Sequence, residues 1–206
     1  MTGTDIDWKT EQRLAHAAML ATQRPVERYI ASDFSFGDYD WMVDVGGGAG
    51  GLATAVKTRW PRLRVTVADI DPDVAEADES ACGAGVEFQV ADFFEVLPAG
   101  ADLYTAKLVL HDWEDPDAER ILQTIGCAMG STGTALLIES ALPLLGSPTV
   151  ACLWDYHQMV TMGGRERTLA EFEELAGRAG LAVVDFCPTA PPFHFITLRS
   201  ADEAAD

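Results

Sequence analysis

The spacing of hydrophobic positions changes repeatedly along the chain. Leu14, Ala17, Ala18 and Ala21 recur at helical spacing over residues 9–23, and Pro25 is expected to end that helix. A loop rich in Asp, Gly and aromatics follows over residues 33–40. Short apolar runs then alternate with amphipathic stretches. Strands are predicted at Trp41–Val45, Leu63–Ala68 (ending on Asp69), Val86–Val90, Leu103–Val109 and Ala135–Ile138 (ending on Glu139). Helices are predicted at Gly51–Trp60, Asp73–Ser80, Asp117–Met129 and Val150–Met162. Thr168 with Glu171 makes a capping box for a further helix with Phe172, Leu175 and Ala179 on its apolar side. Leu181–Phe186 and Phe193–Leu198 look like two closing strands, and the tail from Ala201 to Asp206 is expected to fray.

Strands alternating with helices imply an α/β fold: a doubly wound, mostly parallel sheet with helices on both faces and an antiparallel closing strand. The expected division is an N-terminal helical segment over residues 1–33, one α/β domain over 34–200 and the tail. Ligands of such sheets sit outside the carboxyl ends of the strands, so the chemistry is expected at strand-to-helix junctions.

Composition narrows the partners. The 206 residues are 48% hydrophobic and carry a net charge of −19. That is enough apolar material for a core, and it lacks the basic face of a nucleic-acid binder or of a protein held on anionic membranes. No apolar run approaches the roughly 20 residues that span a bilayer. The N-terminus lacks the basic start and apolar stretch of a signal peptide, so the expected location is cytoplasmic. Cys82, Cys127, Cys152 and Cys187 are far apart and read as reduced packing residues.

The strongest local signal is Val43-Asp44-Val45-Gly46-Gly47-Gly48-Ala49-Gly50-Gly51, a strand running into a glycine loop and a helix. Glycines let backbone approach a ligand where a Cβ would clash, and the helix offers free N–H groups. Two patterns overlap here. Gly46, Gly48 and Gly51 satisfy the dinucleotide spacing of nicotinamide enzymes. Gly46, Gly48 and Gly50, with Asp44 two residues earlier, satisfy the acidic-x-GxGxG loop of S-adenosylmethionine enzymes. Asp69 ends the second strand, where an acid can accept ribose hydroxyls in either case. Asp92 and Phe93 follow the third strand, suited to an adenine amino group and ring.

Four blocks together resemble the S-adenosylmethionine-dependent O-methyltransferases of the plant type and their bacterial relatives acting on polyketides and phenols. They are Val43–Gly48, Lys107-Leu108-Val109-Leu110-His111-Asp112-Trp113, Ile138-Glu139-Ser140-Ala141-Leu142-Pro143 and Gly163-Gly164-Arg165-Glu166-Arg167-Thr168. The resemblance implies a Rossmann-like class I methyltransferase fold. It implies S-adenosylmethionine as methyl donor, S-adenosylhomocysteine as product, and a small aromatic hydroxyl as acceptor. It makes His111 the general base, with Glu139 and Glu166 bracketing it. It places Gly46, Gly48, Asp69, Asp92, Phe93 and Lys107 at the cofactor, alongside Asp44 and Gly50. Met19 and Asp155 match acceptor-pocket positions, and Met159 is a further substrate candidate against a core-packing alternative. Lys107 and Glu166 also have bland readings, as a surface lysine and as a counter-charge to Arg165 and Arg167.

The chemistry stands independently of the likeness. A phenol, with a pKa of about 10, is mostly protonated at neutral pH, and an imidazole near 6.5 is suited to take its proton. A carboxylate on the other ring nitrogen would fix the tautomer. No HExxH or clustered His/Cys set suggests a metal. Members of the family usually begin with a larger helical domain that dimerises and closes the acceptor pocket. Here the glycine loop comes early, so a second copy or another chain is expected to cover that pocket. The alternatives are a non-methylating enzyme of the same family (a hydroxylase, decarboxylase or pericyclase) and a partner-dependent subunit.

Overall fold

The computed structural model describes residues 23–70, 79–142 and 164–204. Residues 23–33 are helical (α1), and they run on through Pro25. Residues 9–22, which carry nearly all of the helix that Pro25 is expected to end, lie outside the described residues. The elements that follow are β1 (Trp41–Val45), α2 (Gly51–Arg59), β2 (Arg64–Asp69), α3 (Glu79–Ala84), β3 (Glu87–Val90), β4 (Leu103–Lys107), α4 (Asp115–Met129), β5 (Thr134–Leu142), β6 (Arg167–Thr168), α5 (Leu169–Arg178), β7 (Leu181–Pro188) and β8 (Phe193–Ser200).

The strands form one sheet in the order β3-β2-β1-β4-β5-β8-β7, with the short β6 pairing the end of β5. Pairings from β3 through β5 are parallel; β8 runs antiparallel to both β5 and β7. This is the doubly wound sheet with an antiparallel closing strand expected from the alternation of elements. The order reverses between β1 and β4, where ligands of such sheets bind.

The central strands β1, β4 and β5 are buried along almost their whole length, as parallel strands covered on both faces must be. One core layer gathers Ile121, Leu122 and Ile125 of α4 with Phe172 and Leu175 of α5. The other gathers Ile30 of α1 with Leu52 and Val56 of α2. The capping box forms: Thr168 Oγ1 accepts from Glu171 N–H, and Glu171 Oε2 accepts from Thr168 N–H. The Asp102 carboxylate accepts from the N–H groups of Asp40 and Trp41, both at 2.8 Å, fixing the start of β1.

Three local departures matter for the site. β4 stops at Lys107 rather than Val109, because Leu108 takes a left-handed φ of 56°. Leu110–Asp112 then makes a single 3₁₀ turn. β5 does not end at Glu139; Glu139 and Ser140 still pair with β8, and Ala141 and Leu142 pair with β6. Cys82 and Cys127 are exposed, whereas Cys187 is half-buried and packs against the second core layer. Cys152, the predicted helix at 150–162 and nearly all of the one at 73–80 lie outside the described residues.

Candidate active site

The site is built at the carboxyl ends of β1, β2, β4 and β5. On one side, the loop after β1 turns through three glycines with positive φ: Gly46 at 63°, Gly48 at 54° and Gly50 at 78°. Only glycine adopts these at little cost. Space is as restrictive as torsion at Gly46, where a Cβ would lie 2.9 Å from Val109 Cγ2. The Phe93 ring packs on the same spot.

Two carboxylates organise this loop. Asp69 Oδ2 accepts from Gly48 N–H at 2.8 Å. Asp44 is 1% exposed, and its Oδ1 accepts from Thr105 Oγ1 at 2.7 Å. Its Oδ2 is buried without a hydrogen-bond partner. Burial pushes the Asp44 carboxyl up to about 6, against the pull of the Thr105 hydrogen bond and the Lys107 charge. A buried orphan acceptor at a glycine loop is a place for a donor, and an ammonium would satisfy both its hydrogen bonding and its charge. The loop therefore fits an amine-bearing ligand better than a pyrophosphate, whose negative charge it would repel. Asp92 closes a turn after β3, its Oδ1 accepting from Phe94 N–H at 2.9 Å.

Lys107 is not a surface lysine. Its ammonium reaches Glu27 Oε1 at 3.2 Å and donates to the Gln23 side chain. Glu27 is 4% exposed, and its carboxylate lies where a Cβ on Gly51 would sit, at the start of α2. Sequence reasoning missed Glu27 and Gln23. Their only sequence signal was position, on a helix preceding the glycine loop.

On the other side stands His111, 6% exposed. Its Nδ1 lies 3.0 Å from Glu166 Oε1, which holds the proton on Nδ1 and leaves the Nε2 lone pair as the basic one. Nε2 lies 3.4 Å from Asp112 Oδ1. Burial works against the charged ring, but the Glu166 hydrogen bond and the charges of Glu139 and Asp112 outweigh it. The His111 pKa rises to about 9.

Glu139 does not hydrogen-bond the imidazole. Its Oε1 accepts from Val109 N–H at 3.0 Å and Leu110 N–H at 2.9 Å. The left-handed Leu108 followed by a right-handed Val109 aims successive N–H groups at one anion, and Glu139 is that anion. The strained φ of Leu108 is thereby explained. Burial and the nearby Glu166 charge push Glu139 up to about 7, against the opposite charge of His111.

His111, Glu139 and Glu166 each offer one ligand atom within 4.8 Å of the others, a spacing a cation could use. Here Nδ1 is engaged by Glu166 and one Glu139 oxygen by the backbone. Glu166 does not serve as counter-charge to its neighbours: Arg165 pairs with Glu171 and Arg167 with Asp115. Met19, Asp155 and Met159, the acceptor-side candidates, lie outside the described residues.

Comparison with known proteins shows the family. Residues 4–182 match the family described as the O-methyltransferase domain. The chain is 37% identical over 178 residues to a mitomycin biosynthesis 6-O-methyltransferase of Streptomyces lavendulae, covering 84% of this chain and 50% of that protein. The structure of a mitomycin 7-O-methyltransferase superposes with a TM-score of 0.86 at 36% identity, covering 95% of this chain and 58% of that one. An O-methyltransferase of neocarzinostatin biosynthesis, solved with S-adenosylmethionine and 2-hydroxy-5-methyl naphthoic acid, superposes with a TM-score of 0.75 at 35% identity. It covers 83% of this chain and 52% of that one. The chain thus spans about half the length of these relatives. By family match and by fold, this chain belongs to the O-methyltransferase domain family.

Proposed function

We propose that the chain transfers a methyl group from S-adenosylmethionine to a hydroxyl of a small aromatic acceptor, with His111 as general base. The observation that carries this reading is the buried His111–Glu166 pair, at 3.0 Å, one strand away from a glycine loop with an orphan carboxylate. When bound, S-adenosylmethionine supplies an electrophilic methyl on a sulfonium. The chain's own residues do the rest. Gly46, Gly48 and Gly50 shape the loop, and Asp44 and Lys107 suit the two charges of an amino-acid head group. Asp69, Asp92 and Phe93 stand where a ribose and an adenine would be held. Neutral His111 takes the acceptor's hydroxyl proton on Nε2 as oxygen bonds to the methyl carbon, and the carbon–sulfur electron pair leaves with sulfur. Glu166 then faces an imidazolium, whose charge it balances. A second copy or another chain covering the acceptor side belongs to this reading as well, because a water-exposed acceptor would weaken each of these interactions.

The test pairs wild type with His111→Ala, using S-adenosylmethionine and a panel of hydroxynaphthoates, with and without EDTA. Transfer is expected in wild type, unaffected by the chelator. It should fall about 10²–10⁴-fold in the variant, with S-adenosylhomocysteine affinity preserved. Equal rates in both proteins would dismiss His111 as the base, and loss of transfer in EDTA would replace the mechanism with a metal-assisted one.

A further inference from the structure

The turn that carries His111 has little structure of its own. β4 has ended at Lys107, and Leu110–Asp112 is a single 3₁₀ turn, a form with poor internal hydrogen-bond geometry. Whatever fixes the imidazole must come from outside the turn. Glu139 supplies this on one side, through the N–H groups of Val109 and Leu110.

Arg167 supplies it on the other. It is 1% exposed, among the largest fully buried side chains of the molecule. Its Nη1 donates to Leu110 O at 2.8 Å, and its Nη2 donates to Trp113 O at 2.8 Å. Those two carbonyls flank His111. Nη2 and Nε both donate to Asp115 Oδ1 at the start of α4, at 2.9 and 3.0 Å. The main chain of Arg167 is fixed in β6, in register with Ala141 of β5. The same segment adds Arg165 N–H donating to His111 O at 2.9 Å.

We propose that Arg167 is a positioning residue for the reaction: its guanidinium clasps the His111 turn to β6, so that Glu166 meets Nδ1. The inference rests on the reading of His111 as base. The chemistry requires a planar fork, since one side chain must reach two carbonyls and a carboxylate in fixed directions. A lysine ammonium is a compact point charge and cannot span all three. A purely structural arginine would also be buried and paired, and its loss would lower stability. It would not alter how His111 titrates. A clasp would, because loosening it separates His111 from Glu166, whose hydrogen bond raises the imidazole pKa.

Arg167→Lys and Asp115→Asn test this. The Asp115 side chain is 42% exposed, so its replacement leaves a folded protein with one prong of the clasp loosened. The readouts are the His111 NMR titration, S-adenosylhomocysteine binding, and steady-state methylation of a hydroxynaphthoate. Arg167→Lys is expected to lower kcat about 10–100-fold. The KM for acceptor and the S-adenosylhomocysteine Kd should stay within about twofold of wild type, with the His111 pKa falling by about one unit. Asp115→Asn should move all readouts the same way and less far. A wild-type His111 titration in the folded variants would overturn the proposal, and so would a wild-type kcat. Should Arg167→Lys not fold, Asp115→Asn decides by the same titration. Should wild type methylate no phenol, the base assignment fails, and the titration alone still decides what Arg167 does.

Discussion

Around the glycine loop between β1 and α2, positions are set by backbone that any side chain would spoil. Around His111, they are set by buried charge. Gly46, Gly48 and Gly50 hold positive φ, a shape that would let main chain approach the proposed cofactor, whereas Glu139, Glu166 and Arg167 are 0–2% exposed and grip a short turn. The first half is cheap to build, since glycine accepts its torsions; it leaves Asp44 Oδ2 without a hydrogen-bond partner, as the charged half leaves Glu139 Oε2. The second half is costly, since each buried charge needs several partners. It returns an imidazole ring held in one orientation by Glu166. On the proposed reading, a binding site can wait for its ligand to complete it, but a base has to be aligned beforehand.

Gly164→Ala should break the contrast most severely. This glycine is on the charged side, yet its reason is close approach rather than torsion. A Cβ there would lie 2.0 Å from His111 O and 2.7 Å from the Asp112 carbonyl carbon. Both are backbone atoms that cannot rotate away. Displacing the turn by the room a methyl needs should lower methyl transfer about 100-fold or more and stability by about 1–3 kcal/mol. S-adenosylhomocysteine titration should show the loop side nearly intact. Comparable losses of cofactor affinity and of transfer would mean that the two halves are one unit.

How much of this could be read beforehand follows the same division. Asp44, the glycines and Asp69 are visible because a residue type at a strand end is a local signal, whereas His111, Glu139 and Glu166 are singled out by the resemblance to the O-methyltransferases. The capping box at Thr168 is a local signal too. Arg167 was visible only as a neighbour of Glu166, because its partners are 52–57 positions away. Glu139 is legible as a residue bracketing His111, but the means is not: it hydrogen-bonds the backbone of the turn and acts on the ring through its charge. That role depends on the left-handed Leu108, a torsion that no side-chain pattern announces in a leucine. The extension of β5 past Glu139 was likewise hidden, since it comes from pairing with β8 and β6 rather than from its own residues.

Asp44→Asn should sharpen the loop side with a smaller effect. The folded pKa of Asp44 is raised from 3.8 to about 6, so the fold penalises its charged form. Its contribution to stability is most favourable below pH 3.8, declines as pH rises to about 6, and stays at the lower value above. A shift of that size corresponds to about 3 kcal/mol at neutral pH. The neutral amide keeps an oxygen for Thr105 and carries less desolvation cost. The ligand-free variant should therefore melt about 5 °C higher at pH 7, with the gain vanishing near pH 4. The same change should weaken S-adenosylhomocysteine binding about 10-fold, because the ammonium loses its charge partner. A variant that melts lower at pH 7 and binds normally would remove Asp44 from the ligand's surroundings.

Glu166→Gln carries the smallest rate effect at neutral pH and the most informative profile. With a pKa of about 9, only about one His111 in a hundred is neutral at pH 7 in the free enzyme, and only the neutral ring can accept a proton. The kcat/KM of wild type should therefore climb about tenfold per pH unit and level off near 9. Replacing Glu166 removes one charge and weakens one hydrogen bond, while Glu139 and Asp112 still favour the imidazolium. The break should move down toward the ordinary histidine range without reaching it. Two consequences oppose each other. More of the variant's His111 is neutral at pH 7, but the ring is less firmly held and less basic. The variant should trail wild type most at pH 9–10, and the deficit should shrink as pH falls toward 6.5, so that the two profiles converge. His111's contribution to stability has the matching sign: full below pH 6.5, lost as pH rises through about 9, and smaller in the variant. Parallel profiles with an unmoved break would mean that Glu166 shapes the site without tuning its base. The buried charges around His111 would then be a scaffold like the glycine loop, and the contrast between the two halves would fail.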